Sequence, residues 1–233
     1  MQELAALLRK ETHTIHQQVE SGVFMTALLK GQLERSAYVL LLRNLEPIYD
    51  ELEQGLMRHA DAPEISPILI RPLFRRPSLH RDLDFLHGAS WRSDLLPVTA
   101  CLNYVNHLRL IQDTAPERLA AHAYVRYLGD LSGGQMLRKI VAHSLKLLDL
   151  RSDVAGSGVD FYDFGQAHEV VGLVQRFRAG LDVIGKAGTS ELLDEAVTAF
   201  ELHLGLFHDL ALSCGLLPAE NSYAPIKRSG TLG

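Results

Sequence analysis

The sequence predicts an all-α fold: one domain of about eight helices over residues 1–212, then a tail, 213–233, expected to be irregular or disordered. Three observations predict it. Apolar residues recur at helical spacing along nearly the whole 233-residue chain. No segment shows the strict apolar–polar alternation of a half-buried strand. Prolines and glycines fall mostly between the periodic segments, with two exceptions, Pro47 and a glycine cluster near residue 130.

Leu4, Leu7, Leu8, Ile15 and Val19 mark a first helix, predicted to run from Leu4 to about Ser21. A short second helix, Phe24 to Leu29, ends near Gly31. The pattern from Ser36 to about His59 predicts a long third helix, which Pro47 should kink or break. ADAPEISPILIRPLFRRP carries four prolines and reads as an irregular connection. Ser78 is the expected N-cap of a helix over LHRDLDFLHG. Another helix follows Pro97 through CLNYVNHLRLIQD. TAPE, Thr114 to Glu117, has the form of a capping box and predicts a helix running to about Leu148. The glycine-containing DVAGSGVDF precedes a helix from about Gly165 to Ile184; KAGTS then caps a last helix, Glu191 to about Leu212. The tail lacks periodicity.

Composition excludes several classes. The balance of 23 basic against 28 acidic residues argues against a general nucleic-acid binder, although a local basic patch would survive such an average. Cys101 and Cys214 stand far apart, so neither a disulfide framework nor a structural zinc site is expected. The N-terminus interleaves charge with apolar residues, unlike a signal peptide, and no apolar run is long enough to span a membrane. A cytoplasmic protein without a membrane anchor, acting as a monomer, is expected.

Familiar metal and phosphate motifs fail on spacing. No histidine has a glutamate three residues before it, as a di-iron bundle needs, and no His-Glu-x-x-His or phosphate-cradling glycine loop occurs. The first helix offers something narrower. At 100° per residue, Arg9, His13, His16 and Glu20 fall within about 60° of one another, beside the apolar row. A glutamate four residues after a histidine can orient its imidazole and raise its basicity as a ligand. A solvated polar face with an incidental ion pair fits the same stripe.

The second exception is YVRYLGDLSGGQ, Tyr124 to Gln135, which places three glycines and an aspartate inside a strong helix. Each interior glycine costs about 1 kcal/mol relative to alanine. Arg126, Asp130 and Gly134 lie within about 40° of one face, with Gly133 at its border. A face of bare backbone admits either a neighbouring helix or a flat ligand. Close helix packing leaves the central carboxylate to be paired by Arg126, whereas a ligand with polar chemistry accounts for all the features together.

YVRYLGDLSGGQMLRKI closely resembles the signature segment of haem oxygenases, the enzymes that open haem to biliverdin. HQQVESGVFMTALLKGQ resembles that family's stretch around its haem-ligating histidine, and IYDELE, FYDF and AFELHLGLF match further landmarks in order. The resemblance covers roughly residues 4 to 212. It implies haem b, as cofactor and substrate, between the first (proximal) helix and a glycine-kinked distal helix. His16 would be the axial iron ligand with Glu20 beside it. Asp130 would organise a water network over the iron with Arg126 and Tyr49. Gly129, Gly133 and Gly134 would form the helix face lying on the porphyrin. Arg9, Tyr124 and Arg178 fall on positions that contact haem propionates. His13, also assigned to haem binding, and Val174 stand where some relatives carry lysines, which puts propionate anchoring and the choice of cleaved meso carbon in doubt.

The implied reaction cleaves haem at a meso carbon to biliverdin, carbon monoxide and ferrous iron, using O2 and external electrons. The donor would be a ferredoxin, flavodoxin or NAD(P)H-dependent reductase, since the chain shows no flavin or iron–sulfur motif. The alternatives are a non-catalytic haem-binding or transfer protein, and a thiaminase-like enzyme on similar architecture. Arg71, Arg75, Arg76 and Arg81 form a basic cluster that is either solvated or a dock for an acidic electron donor. The histidines His80, His87, His107, His122, His143, His168, His203 and His208 share no ligand spacing and are expected at the surface or in hydrogen bonds.

Overall fold

The computed structural model describes residues 3–147, 156–185 and 189–218. Among them the regular structure is entirely helical, with eleven α-helices and no strand. In order these are α1 (Leu4–Glu11), α2 (His13–Ser21), α3 (Val23–Leu29), α4 (Arg35–Arg58), α5 (Arg76–Leu86) and α6 (Trp91–Asp94). Then come α7 (Thr99–Thr114), α8 (Leu119–Ala123), α9 (Gly129–Ser144), α10 (Ala167–Ile184) and α11 (Ser190–Ser213). A single π-helical turn, Tyr124–Leu128, joins α8 to α9.

Two long helices carry the core. α4 is flanked by α5, α7 and α8; α11 is flanked by α1, α2, α3, α7 and α8. Both are buried around much of their circumference, which is why their sequences read as broad apolar bands. Leu42, Ile48 and Leu52 of α4 and Leu206 and Leu210 of α11 are fully enclosed. Truncating any of these leucines to alanine should cost about 2–5 kcal/mol.

Several boundaries differ from the sequence expectation for local reasons. The predicted first helix is two, because Thr12 turns its hydroxyl back onto the Leu8 carbonyl at 2.7 Å. The step is slight, since the His16 N–H still bonds the Thr12 carbonyl at 2.9 Å. α4 continues through Pro47 without interruption. Ser78 is no cap: α5 begins at Arg76 with Pro77 in its first turn, and Ser78 Oγ accepts from Arg81 instead. Thr114 is no cap either, as it ends α7 with its hydroxyl on the Leu110 carbonyl at 2.8 Å. The capping box that does form is Gln166 with Glu169, opening α10. α9 ends at Ser144, and Leu148, residues 186–188 of KAGTS and the tail beyond Pro218 lie outside the described residues.

Two loops brace the site. The proline-rich connection makes two short 3-10 turns, Ser66–Ile68 and Arg71–Leu73, and buries Ile65, Ile68, Ile70 and Leu73. α10 lies so close to it that a Cβ on Gly180 would meet the Pro67 carbonyl oxygen at 2.2 Å. On the other side, the buried carboxylate of Asp82 in α5 accepts the Asp160 and Phe161 N–H groups at 2.8 and 2.7 Å. Those bonds fix the turn Asp160–Tyr162 and with it the two aromatic rings it carries. Burial raises the Asp82 carboxyl to about 7, against the pull of both N–H donors.

Candidate active site

A cleft opens between α2 and α3 on one side and the π turn with α9 on the other. Phe161 and Tyr162 close one wall, and Phe200, His203 and Phe207 of α11 form its back. The lining is mainly apolar, with Val19, Leu28, Leu41, Leu45 and Leu137 around a few convergent polar groups.

His16 and Glu20 stand on the α2 side. Their four-residue spacing brings His16 Nδ1 to 3.7 Å from Glu20 Oε2, an electrostatic contact rather than a hydrogen bond. Because the carboxylate faces Nδ1, the other ring nitrogen, Nε2, is left for a ligand. Phe200 holds the ring edge-on, with centroids 5.5 Å apart. The His16 side chain is 46% exposed, so its donor atom is accessible.

Opposite lies the helix face read from the sequence. The π turn Tyr124–Leu128 inserts one residue into the α8–α9 helix just before the glycines, an irregularity often found at functional sites. A Cβ built on Gly129 or Gly133 would meet no atom of the described residues within 4 Å. Both glycines therefore present bare main chain to the cleft. Asp130 sits between them, buried, 3.6 Å from Arg126 one turn back.

Behind Asp130 is a closed polar network. The Tyr49 hydroxyl contacts Asp130 Oδ2 and accepts the Arg126 Nε–H at 2.9 Å. The Arg126 guanidinium lies 4.8 Å from the Tyr49 ring centre and its Nη1 touches His203 Nε2. His203 Nδ1 faces the Ala199 carbonyl at 2.9 Å, so Nδ1 carries the proton and Nε2 offers its lone pair to Arg126. Burial, then Arg126, pushes the His203 imidazole well below its usual range, keeping it neutral. Burial also raises the Asp130 carboxyl, opposed by Arg126 and Tyr49. Arg126 is itself buried, yet Tyr49, Asp130 and Tyr104 outweigh that penalty and hold its charge in place.

The sequence profile of the Heme oxygenase family matches residues 2–209. The chain belongs to the haem oxygenase family. The heme oxygenase of Rhodella violacea is 35% identical over 209 residues, 89% of this chain and 86% of that protein. The crystal structure of heme oxygenase-1 from the cyanobacterium Synechocystis sp., in complex with heme, superposes with a TM-score of 0.83 at 33% identity. The match covers 92% of this chain and 95% of that one. Heme oxygenase-2 of Synechocystis sp., in complex with heme and NO, gives a TM-score of 0.84 at 32% identity over 94% and 89% of the two chains.

Most of the residues that the family resemblance singled out come together, with some differences. His16, Glu20, Arg126, Gly129, Asp130 and Gly133 all line the cleft, while Tyr49 stands behind Asp130. Burial raises the Tyr124 hydroxyl at the start of the π turn, opposed by Thr12, Arg9 and Arg178; none of Arg9, Tyr124 and Arg178 lines the cleft itself. Gly134 differs: it is buried against Tyr162, where a Cβ would stand 3.4 Å from the ring, so it serves packing rather than the cleft. His13 is exposed and does not line the cleft. Val174 packs against the core.

Of the basic cluster, Arg71, Arg76 and Arg81 are exposed, and only Arg75 is withdrawn from the surface. Arg75 is buried, bonded to the Leu73, Pro72 and Asp163 carbonyls, with its guanidinium 3.9 Å from the centre of the Phe164 ring. Arg76 pairs with Asp50 and Arg81 with Asp160. Sequence reasoning missed His203 as a site residue. It lies 77 residues from Arg126, and only its place within AFELHLGLF, a recognised landmark, could have drawn attention to it.

Proposed function

We propose that this chain is a haem oxygenase, opening haem at a meso carbon to biliverdin, carbon monoxide and ferrous iron with O2 and external electrons. The observation that carries the reading is the opposition of the His16–Glu20 pair to a glycine-bared helix face with a buried aspartate. These residues fit haem: an imidazole with a carboxylate at its back, two glycines without side chains, and apolar walls for a flat macrocycle. Haem, when bound, supplies both the redox-active iron and the ring that is cleaved.

The chain's own residues do the rest. His16 Nε2 would hold the iron, with the Glu20 carboxylate on the Nδ1 side of the ring. The protein offers an imidazole here, with no cysteine among the lining residues of the cleft, so it would donate less electron density than a thiolate. Gly129 and Gly133 leave bare main chain across the cleft from His16, where larger side chains would obstruct a flat ligand and O2. Asp130, held by Tyr49 and Arg126, orders water that delivers protons in the cleft. Arg9, Tyr124 and Arg178 would bind the propionates; with His13 exposed and Val174 packed against the core, that anchoring would rest on these three.

Residues 1–212 would act as one domain, as a cytoplasmic monomer served by a ferredoxin, flavodoxin or NAD(P)H-dependent reductase. Among the described residues no helix is long and apolar enough to cross a membrane. The test adds haem and a reducing system to the purified chain in air. The expected result is loss of the Soret band with growth of biliverdin absorbance, and an altered axial-ligand spectrum for His16→Ala. Haem retained intact in air would favour a haem carrier, and no haem binding would refute the reading.

A further inference from the structure

Away from the cleft, α7, α8 and α11 bring together three side chains that are far apart in sequence. Glu195 Oε1 lies 2.5 Å from His107 Nε2 and 2.9 Å from His122 Nε2, and the three donor atoms all fall within 4.8 Å of one another. None of the three lines the cleft. We propose that His107, His122 and Glu195 form a binding site for a divalent first-row transition ion such as Zn2+ or Fe2+.

Three features support this. The donor set, two imidazole nitrogens and one carboxylate oxygen, is the one proteins use for such ions when a further position is left for water. The arrangement behind the donors is also the one metal sites use. His122 Nδ1 is 3.0 Å from the Tyr104 hydroxyl, and the second oxygen of Glu195 is 3.5 Å from Arg118 Nη1. In a loaded site His122 carries its proton on Nδ1 and donates it to Tyr104, which fixes the tautomer that presents the Nε2 lone pair. Arg118 holds the carboxylate by the oxygen the ion does not use. Burial is graded in the right sense: Glu195 and His122 are buried, while His107 is half-buried and gives the ion a route in and an outer position for water.

Geometry requires little change. Tetrahedral ligation at about 2.0–2.1 Å separates donor atoms by about 3.3 Å. The two nitrogen–oxygen distances must therefore open by less than 1 Å and the nitrogen–nitrogen distance, within 4.8 Å, close by up to about 1.5 Å, a movement the 25% exposed His107 side chain has room to make. In the loaded site each imidazole carries its proton on Nδ1 and presents Nε2 to the ion.

The test is calorimetric titration of the EDTA-treated full-length chain with Zn2+. One equivalent should bind saturably, and His107→Ala should weaken that binding at least about 100-fold, beyond the range for loss of a supporting contact. Glu195→Gln should behave likewise, with circular dichroism confirming that both variants fold. His16→Ala should keep the stoichiometry, separating this site from the cleft. Co2+ should give the visible absorption of tetrahedral coordination, and anaerobic Fe2+ competing with Zn2+ would extend the site to iron. Absence of saturable Zn2+ binding, or binding unchanged in a folded His107→Ala, would overturn the proposal and leave a hydrogen-bonded trio.

Discussion

Replacing Gly133 by alanine should stabilise the haem-free protein. Interior helical glycine costs about 0.5–1 kcal/mol relative to alanine, through backbone entropy. The usual counter-cost, a clash, is missing at Gly133, where an added Cβ meets nothing within 4 Å. For a chain of this length that gain corresponds to a rise in Tm of about 1–4 °C. Gly180→Ala makes the contrast. Its Cβ would meet the Pro67 carbonyl oxygen at 2.2 Å and carbon at 2.8 Å, backbone that cannot rotate away. That variant should lose about 1–3 kcal/mol. The functional arm is Gly133→Leu, which should keep the haem-free fold and weaken haem binding at least tenfold, about 1.4 kcal/mol. Thermal unfolding of the haem-free proteins and Soret titration measure both quantities. If Gly133→Ala melted lower, as Gly180→Ala should, the glycine would be a packing seam. If Gly133→Leu bound haem normally, the macrocycle would lie elsewhere.

Asp130→Ala should bind haem within a few-fold of the unaltered chain and form biliverdin about 10²-fold or more slowly, followed by single-turnover spectroscopy; normal turnover would remove Asp130 from the mechanism. Stability should also fall with rising pH. Burial raises Asp82 and Glu53 to about 7, whereas both ionise near 4 in the unfolded chain. Between those values the folded protein binds more protons, so stability is full below the unfolded pKa and is lost as pH rises through about 7. Each group contributes a slope of up to about 1.4 kcal/mol per pH unit. Urea denaturation at a series of pH values between 5 and 8 should show the decline, and Asp82→Asn should flatten it; an identical slope in the variant would refute the assignment.

How much was legible in the sequence depended on how local the cause was. The His16–Glu20 pair and the Arg126–Asp130 pair each sit one turn apart, so helical spacing alone brought them onto a face. Helices with long apolar bands, such as α4 and α11, were readable for the same reason. Trp91–Asp94 was not, because one turn is too short to show a period. Thr114 carried the right letters for a cap, but its hydroxyl had a nearer acceptor in its own helix. Arg75 looked like surface charge, since nothing in a proline-rich loop announces three converging carbonyls. His203 and the His107–His122–Glu195 trio arise from contacts 73 to 88 residues apart, which only tertiary packing reveals.

The orientation of His203 gives the polar network a direction. Its one N–H points into its own helix, toward Ala199, and its lone pair points at Arg126, whose protons are not given up. Among the described residues His203 therefore supplies no proton toward Asp130, and in the proposed reaction the water that Asp130 orders would be replenished from the mouth of the cleft. Acid entering there, one water at a time, would arrive at the same place as O2, so supply of both is governed by a single opening.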